Sequence, residues 1–262
     1  MNNENARAEI LMIGTELLLG QIQDTNATYM ARALATAGIN LYWKTTVGDN
    51  VERINSALRL GLARSEVILC SGGLGPTVDD ITRDCVAGVM DMPLEYHDDL
   101  YQVIVDRFRH RKRTLSVNNK RQAMLPHGAA PIANPNGTAA GLIAEPPKGI
   151  IICMPGVPHE LKPMLDGVAI PYLCWKFGIK RTIHYRVLKV YGLGESRVDD
   201  TIGDIINNST NPTIGLLASR EAVRVRIAAR AATKADAEIL IDPVDALIRK
   251  RLEEAASGID CE

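Results

Sequence analysis

Aromatic residues are scarce in this chain and make up only 4 % of its 262 residues. Proteins that bind single-stranded nucleic acid stack the bases on aromatic rings inside a positively charged groove. This chain has a net charge of -1 and no basic stripe with interleaved aromatic residues. Its basic stretch, residues 107–113, is typical of a solvated helix end, where cations favour the helix dipole. The composition therefore predicts that nucleic acid is not the partner.

Long apolar runs are also missing. No segment approaches the roughly 20 apolar residues that cross a bilayer, and residues 1–7 are polar and acidic, unlike the basic start of a secretory signal. We therefore expect a cytoplasmic protein with no membrane partner. The hydrophobic fraction of 46 % allows a sizeable core, with room for one large domain and a smaller one.

Paired cysteines and dense metal-ligand motifs are absent from the sequence. The five cysteines lie at positions 70, 85, 153, 174 and 261, an odd number without paired spacing, so we interpret them as reduced. No Cys-x-x-Cys or His-Glu-x-x-His occurs. Any metal ion is therefore expected to be held by oxygen atoms.

Strand and helix patterns alternate through the first two thirds of the chain. This alternation predicts an α/β fold with a mainly parallel sheet that is covered by helices on both faces. The predicted strands are residues 8–13, 41–47, 67–71 and 149–154, and a hairpin is expected from 130–133 and 140–144 around Asn134-Pro135-Asn136-Gly137. The predicted helices are residues 26–37, 51–63, 80–90, 97–109 and 118–124, with a further one from about His159.

A second, smaller α+β unit is expected in the last third, which divides the chain into domains 1–178 and 179–262. Strands are predicted at 185–191, 213–217 and 223–229, and helices at 196–206 and 235–254, in the order βαββα. That order resembles KH-like domains, but Gly192-Leu193-Gly194-Glu195 lacks the Gly-x-x-Gly spacing that clamps a nucleic-acid backbone. We interpret this unit as a packing or dimerisation module that also closes over the neighbouring site.

The run from Cys70 to Asp84 carries the most chemistry. A buried strand pattern ends in Gly72, Gly73 and Gly75, whose missing Cβ atoms let several N–H groups converge on a phosphate. Asp79 and Asp80 would repel that phosphate unless a cation stood between them, which predicts a metal-bridged phosphate ester. Alternatively, the acids only cap a helix, because Thr77 and Asp80 also match a capping box.

Three apolar strands end in small-residue turns that open helices, and each turn carries an acid. The acids are Glu16 after the first strand, Asp79 and Asp80 after the third, and Glu160 after Pro155-Gly156-Val157-Pro158. In open α/β sheets ligands bind at the carboxyl edge of the strands. We therefore expect these turns to meet at one site if their strands are neighbours.

Together these segments resemble the CinA family, whose first domain shares its fold with molybdopterin-binding proteins. The resemblance rests on Ile13-Gly14-Thr15-Glu16-Leu17-Leu18-Leu19-Gly20-Gln21 with Asp24-Thr25-Asn26, Val47-Gly48-Asp49-Asn50, Gly72-Gly73-Leu74-Gly75-Pro76-Thr77 with Asp79-Asp80-Ile81-Thr82, Asn118-Asn119-Lys120-Arg121-Gln122-Ala123, Asn134-Pro135-Asn136-Gly137-Thr138-Ala139 and Pro155-Gly156-Val157-Pro158-His159-Glu160-Leu161. It implies a three-layer α/β/α domain followed by a KH-like domain. In several members it also implies metal-dependent hydrolysis of ADP-ribose to AMP and ribose 5-phosphate.

The resemblance and the motifs together define the candidate site. We expect Asp49, Asp80 and Glu16 to be catalytic and Asp80, Asp49 and Asp79 to hold a divalent ion such as Mg, Mn or Co. The expected substrate-binding residues are Ser71, Gly72, Gly73, Gly75, Thr82, Asp24, Asn26, Lys44, Asn136, Gly137 and Gly156. Simpler interpretations stay open. Asp49 could cap the helix that starts at Val51, and Asn26 could cap the helix predicted at 26–37.

Two other functions compete with nucleotide-pyrophosphate hydrolysis. The same fold binds molybdopterin and passes an adenylyl group in molybdenum cofactor synthesis, which would make the ligand a pterin phosphate. Alternatively, the site binds a nucleotide without cleaving it, in a scaffold that is expected to form a homodimer. Many family members continue into a nicotinamide-mononucleotide deamidase domain beyond the point that corresponds to Glu262, so that activity is not expected of these residues.

Overall fold

The computed structural model describes residues 6–180, 182–219 and 221–262. The strands are β1 (Arg7–Ile13), β2 (Asn40–Val47), β3 (Val67–Ser71), β4 (Leu94–Tyr96), β5 (Met124–Pro126), β6 (Ala130–Ile132), β7 (Gly141–Ala144), β8 (Ile150–Met154), β9 (Thr182–Tyr191), β10 (Thr213–Ala218), β11 (Val223–Ala231) and β12 (Gly258–Cys261). The α-helices are α1 (Thr15–Leu18), α2 (Thr25–Thr36), α3 (Val51–Arg64), α4 (Thr82–Met90), α5 (Asp98–His110), α6 (Pro158–Met164), α7 (Ile170–Lys176), α8 (Glu195–Asn208) and α9 (Lys234–Leu252).

These elements form two compact units, the first ending at Gly178 and the second beginning at Ile179, with Thr36–Gly38 grouped with the second. In the first unit six strands form one sheet in the order β2-β1-β3-β8-β7-β6. The strands β2, β1, β3 and β8 are parallel to one another, β7 runs antiparallel to β8, and β6 runs antiparallel to β7. The mainly parallel α/β sheet and the hairpin that the sequence predicts are therefore confirmed.

Helices cover this sheet on both faces, because alternate strand residues point to opposite sides. On one face Leu11 and Cys70 join a buried cluster with Ile54 and Leu58 of α3 and Val86 of α4. The alternate residues of β1 and β3 point to the other side and are buried, and α2 and α6 bury further apolar residues. The result is the three-layer α/β/α arrangement that the resemblance implies.

Some boundaries differ from the sequence predictions. The α4 helix begins at Thr82, so Asp79 and Asp80 lie in the turn before it, and the helix expected at 118–124 is a 3₁₀ helix, Val117–Ala123. A two-stranded antiparallel pair, β4 and β5, is not predicted by the sequence, because each strand has only three residues. Residues 165–169 continue α6 as a π-helical turn before α7.

The second unit is a four-stranded antiparallel sheet in the order β10-β11-β9-β12. Alternate residues of β11 are buried against apolar side chains of α8 and α9, which include Val198, Ile202 and Ile241. The predicted order βαββα is incomplete, since β12 adds a fourth strand beside β9. Its sequence Gly-Ile-Asp-Cys contains too short an apolar pattern to reveal a strand.

Among the described residues, no helix has both the length and the apolar composition that a bilayer crossing requires.

A buried ion pair stabilises the centre of the first sheet. Glu9 of β1 is 1 % exposed, and Arg64 of α3 donates to its two carboxylate oxygens over 2.7 and 2.8 Å. Thr45 donates to the same carboxylate over 2.7 Å, and the Arg64 guanidinium lies 4.6 Å from the ring centroid of Trp43. A buried carboxylate that loses its partner keeps its full desolvation cost.

We predict that Arg64→Met lowers the free energy of unfolding by about 3 kcal/mol, because it leaves the Glu9 charge buried and unpaired. The double variant Glu9→Leu with Arg64→Met removes both charges and is expected to recover most of that loss. Urea unfolding followed by circular dichroism at pH 7 measures both. Equal destabilisation in the single and double variants, within about 0.5 kcal/mol, would contradict the coupling.

The cysteines predict a graded thiol reactivity. Cys70, Cys85 and Cys153 are buried, and burial raises the pKa of Cys85 to about 11, while Cys261 of β12 is exposed. A thiol with a raised pKa has little reactive thiolate at neutral pH. With a disulfide reagent at pH 8 we therefore expect one fast-reacting thiol in the native protein, and Cys261→Ser is expected to remove it. Cys174 is half-buried, and burial raises the pKa of its thiol, so a fast phase that survives this substitution would show that Cys174 or a buried thiol is accessible.

A candidate phosphate and metal pocket at the carboxyl edge of the sheet

A pocket of about 720 Å³ lies at the carboxyl ends of β1, β3 and β8. The turns that follow these three neighbouring strands line it, together with Asp49 from the end of β2. Parallel strands bring their carboxyl ends to one edge, so sequence-distant turns meet there. The predicted site residues that line the pocket are Glu16, Asp24, Asn26, Asp49, Ser71, Gly72, Gly73, Gly75, Asp79, Asp80 and Gly156.

The glycine turn after β3 approaches β1 too closely for a side chain. Gly72 has φ +114°, and a Cβ atom there would lie 2.0 Å from the carbonyl oxygen of Ile13. Its N–H donates to the carbonyl of Met154 over 3.0 Å, so the predicted contact of this N–H with phosphate is not available. The N–H groups of Gly73, Leu74 and Gly75 have no hydrogen-bond partner among the described residues. These three are therefore the available donors for an anion.

Two buried side chains hold this turn from behind. Thr82 donates to the carbonyl of Gly72 over 2.8 Å, and the guanidinium of Arg83 donates to the carbonyls of Leu74 and Gly75. Burial of Arg83, which is 2 % exposed, lowers its pKa to about 10. The carbonyls are thus engaged on the side of α4, which leaves the N–H groups for the pocket.

This arrangement corrects the role expected for Thr82. The sequence predicts that its hydroxyl binds substrate, but the side chain is fully buried, lies outside the pocket lining and is used to fix the turn. Sequence reasoning missed Arg83, because an arginine in the first turn of a helix ordinarily lies on the surface. Nothing in the local pattern distinguishes it from a solvated residue.

The pocket is strongly acidic. Six carboxylates line it: Glu16, Asp24, Asp49, Asp79, Asp80 and Glu160. Within the described part of the chain, none of the residues lining it is Lys, Arg or His. A phosphate would be repelled by this lining unless cations entered with it.

Asp49 and Asp80 are each held by one oxygen only. Oδ2 of Asp49 accepts the N–H and the hydroxyl of Thr15, both over 2.9 Å, and Oδ2 of Asp80 accepts those of Thr77 over 2.7 and 2.5 Å. Oδ1 of each carboxylate has no hydrogen bond to another described residue. The side chain of Asn50, not that of Asp49, caps α3 by accepting the N–H of Arg53.

Three of the pocket acids pack directly against glycines. A Cβ atom on Gly14 would lie 2.6 Å from Glu16 Oε1, one on Gly75 would lie 2.5 Å from Asp80 Oδ2, and one on Gly137 would lie 2.0 Å from Glu160 Oε2. These glycines give room for carboxylates that could not otherwise occupy their positions. For Gly137, this explains the residue better than the direct substrate contact that the sequence predicts.

Asp24 and Asn26, at the start of α2, have roles that differ from the prediction. Asp24 caps the helix, since its Oδ1 accepts the N–H of Ala27 over 2.8 Å. Asn26 is not the cap, and its Nδ2 donates to the carbonyl of Gly156 over 2.7 Å and to Ser71 Oγ over 3.2 Å. Because Ser71 Oγ donates to the carbonyl of Pro155, the hydroxyl is already engaged in the structure.

Lys44, Asn136 and Gly137 do not line the pocket. Lys44 is exposed in the middle of β2, away from the carboxyl edge. Asn136 donates through Nδ2 to the carbonyl of His159 over 2.6 Å, and Arg107 donates to the carbonyl of Gly137 over 2.5 Å. The loop at 134–138 therefore shapes the pocket wall and contributes Thr138 to the lining.

Gln122 also lines the pocket and was not singled out from the sequence. It is 2 % exposed, and its Oε1 accepts from Asn119 over 3.1 Å. The 3₁₀ helix that carries it has no α-helical periodicity by which its inward face could be recognised. Its neighbour Arg121 is a cation that could pair with phosphate, but it donates to the carbonyl of Thr77 over 3.2 Å.

The residues present fit a metal ion that is shared with a ligand. In the described part of the chain, no three His, Cys, Asp or Glu side chains are close enough to form a complete protein site. The unbonded Oδ1 atoms of Asp49 and Asp80 are hard oxygen ligands, which Mg²⁺ and Mn²⁺ prefer. Mg²⁺ is commonly bound by one or two carboxylates together with substrate phosphates and water.

Each of the two units matches a known family model. Residues 9–175 match the model of the probable molybdopterin binding domain, and residues 185–258 match the KH domain of damage-inducible protein CinA. A CinA-like protein of Gloeobacter violaceus is 44 % identical over 255 residues, which cover 97 % of this chain and 58 % of the relative. One of Dictyoglomus thermophilum is 43 % identical over 253 residues, covering 96 % and 61 %.

A solved structure supports the same relationship. The crystal structure of the protein CinA with unknown function from Thermoplasma acidophilum is 30 % identical with a TM-score of 0.59, and the match covers 63 % of this chain and 97 % of that one. This chain spans about 60 % of the length of the two curated relatives it matches. With a match to the probable molybdopterin binding domain followed by a match to the CinA KH domain, the chain belongs to the CinA family.

Proposed function

We propose that the pocket binds a nucleoside pyrophosphate together with a divalent cation and catalyses attack on one of its phosphorus atoms. One observation carries this proposal. Six carboxylates line the pocket, and none of its described lining residues is Lys, Arg or His. Beside them lie three N–H groups of the glycine turn that have no hydrogen-bond partner among the described residues. A site that only bound phosphate would use cationic side chains. Carboxylates beside a phosphate cradle are the arrangement of metal-assisted phosphoryl chemistry.

The carboxylates divide into those with a free oxygen at the phosphate end and those with structural roles. Asp49 and Asp80 would hold the ion through Oδ1. The exposed Asp79, which the sequence predicts as a third ligand, lines the same pocket but does not complete a group of three acids with them in the described chain. When bound, Mg, Mn or Co would neutralise phosphate charge and polarise the phosphorus centre. The carboxylate of Glu16, which packs on Gly14 at the end of β1 and lines the pocket, would accept a proton from the attacking group.

The glycine turn supplies donors in fixed positions. The N–H groups of Gly73, Leu74 and Gly75 would bind the phosphate oxygens as negative charge develops on them. Arg83 and Thr82 keep the carbonyls of the same turn on the opposite side, so the donors need no rearrangement during the reaction. Such preorganised donors contribute a large part of the catalysis in many enzymes.

Two acceptors for the phosphoryl group fit this site. In the first case water attacks a phosphorus of ADP-ribose, the bridging P–O bond breaks, and AMP and ribose 5-phosphate leave after the water proton passes to a carboxylate. In the second, the phosphate of a pterin attacks the α-phosphorus of ATP and releases pyrophosphate. The family model, described as probable molybdopterin binding, favours the second acceptor for the first unit.

A cytoplasmic homodimer remains the expected state of the protein.

We predict that Asp80→Asn lowers turnover at least about 10²-fold, because the amide removes the charge that holds the ion. Asn can still accept from both donors of Thr77, so the turn is retained. The assay incubates ADP-ribose, or ATP with a pterin phosphate, with Mg²⁺, Mn²⁺ or Co²⁺ and separates the products by chromatography. AMP with ribose 5-phosphate identifies hydrolysis, and pyrophosphate with an adenylylated pterin identifies transfer.

Asp236→Asn is the matched control, because Asp236 accepts from Thr233 over 2.7 Å at the start of α9, outside the pocket. This variant is expected to convert substrate at the same rate as the unaltered chain. If no metal supports either reaction although nucleotide binds, the catalytic proposal fails and a non-catalytic nucleotide-binding scaffold replaces it.

Gly75→Ala gives an independent prediction. The added methyl would lie 2.5 Å from Asp80 Oδ2 and displace the carboxylate, so turnover should fall nearly as far as in Asp80→Asn. Gly88→Ala in α4 is the control, since no atom beyond its chain neighbours and the adjacent helix backbone lies within 4 Å of the position that its methyl group would take, and alanine favours a helix. Turnover with excess metal and thermal unfolding are measured for both. Full activity of Gly75→Ala would show that the position of Asp80 is not critical.

A further inference from the structure

One hydrogen-bond acceptor in the pocket lacks a partner. Oδ1 of Asn26 is buried and makes no hydrogen bond to any described residue, and the whole residue is 5 % exposed. Asn26 lines the pocket between the glycine turn and the turn after β8. Buried acceptors are normally paired, and an unpaired one is costly. This atom is therefore available for a group that enters the pocket.

The orientation of the Asn26 amide follows from its neighbours. Nδ2 donates to the carbonyl of Gly156, which can only accept, and to Ser71 Oγ, whose own proton is directed to the carbonyl of Pro155. Rotating the amide would place Oδ1 against the Gly156 carbonyl, two acceptors facing each other. Both donors are thus used within the protein, and only the acceptor is left for the pocket.

Glu160 is a second acceptor that the phosphate end of the pocket does not use. Its Oε2 accepts Asn134 Nδ2 over 2.7 Å, while Oε1 has no hydrogen bond to another described residue. The Asn134 amide is fixed in turn, because its Oδ1 accepts the N–H groups of Asn136 and Gly137 and its Nδ2 also donates to the carbonyl of Ala139. Glu160 is therefore held rigidly with one free oxygen.

The sheet order separates Glu160 from Asp49, one of the two proposed metal ligands, whereas Asp80 follows β3, the direct neighbour of β8. Asp49 follows β2 and Glu160 follows β8, and these strands are three positions apart in the sheet, or about 14 Å at the usual strand spacing. No three acidic side chains in the described chain come close enough to share one ion. Because its hydrogen bond to Asn134 uses Oε2, Glu160 keeps Oε1 for the organic part of a ligand.

We propose that Asn26 Oδ1 and Glu160 Oε1 form an acceptor subsite that binds hydroxyl or N–H donors on the organic part of the ligand. The proposal rests on the proposed function, in which the phosphates lie at the other end of the pocket. Phosphate oxygens cannot fill the subsite, because ionised phosphates only accept hydrogen bonds. The 2′- and 3′-hydroxyls of a ribose can fill it, and so can the 2-amino and ring N–H groups of a pterin.

Isothermal titration with Mg²⁺ present tests this with two matched ligand pairs. The first pair is AMP and 2′,3′-dideoxy-AMP, and the second is 6-hydroxymethylpterin phosphate and its 2-desamino counterpart, in which a hydrogen replaces the 2-amino group. We expect the donor-bearing member of at least one pair to bind about 10-fold or more tightly, as for a hydrogen bond to a charged acceptor. Discrimination in the first pair identifies a ribose, and in the second a pterin.

Two variants locate the discrimination. In Glu160→Gln, Asn134 Nδ2 requires the amide oxygen, so the Gln side chain presents Nε2 to the ligand donors, and the ratio within the pair is expected to fall to about 3-fold or less. Asn26→Ala should reduce the same ratio, with circular dichroism as a check on folding. Glu95→Gln, on β4 outside the pocket lining, should leave it unchanged.

Equal binding of both members in both pairs would overturn the subsite, as would discrimination that survives in folded Asn26→Ala and in Glu160→Gln. The proposed function is judged separately by whether binding of the phosphorylated ligands needs Mg²⁺ and Asp80. Magnesium-dependent binding without discrimination removes the subsite alone. Failure of all four ligands to bind removes the subsite and the proposed function together.

Discussion

Mutual repulsion among carboxylates is the constraint on which the pocket depends. Six acids face a volume of about 720 Å³ without a cationic side chain among the described lining residues. Such a group is stable only if each carboxylate has local donors or remains open to water. Asp49 receives its donors from Thr15, Asp80 from Thr77, Asp24 from the start of α2 and Glu160 from Asn134. Each of these four carboxylates is thus anchored by neighbours that leave at least one oxygen unbonded.

Unlike the carboxylates, the buried cation next to the glycine turn, Arg83, does not face the pocket. Arg83 lies behind the glycine turn and donates to its carbonyls, so its charge orders the backbone instead of meeting a ligand. Burial lowers the pKa of Arg83, because a charged group loses its hydration inside the protein. The negative charges of Asp80 and Asp84 raise this pKa again in part, and the two backbone acceptors replace some of the lost hydration. The anion-binding surface is therefore made of peptide dipoles, and the acids are left to hold the cations.

The place of the site could be predicted from the sequence better than the roles within it. The strands β1, β3 and β8 are apolar runs followed by glycine or proline, and parallel order brings their turns to one edge. Strands of three or four residues, such as β4, β5 and β12, carry too little periodicity to be found. Whether a polar residue caps a helix or faces a ligand depends on distant partners. Thr82 and Arg83 are therefore buried without a local signal, and Asn26 bonds to residues 45 and 130 positions away.

The packing of carboxylates on glycines has a consequence for the history of the sequence. Gly137 and Glu160 are 23 positions apart, yet no side chain larger than hydrogen fits at 137 while the carboxylate lies where it does. The same holds for Gly75 and Asp80. Among related chains each glycine and its acid should therefore vary together, so that an alanine at the first position is accompanied by a shorter or neutral residue at the second.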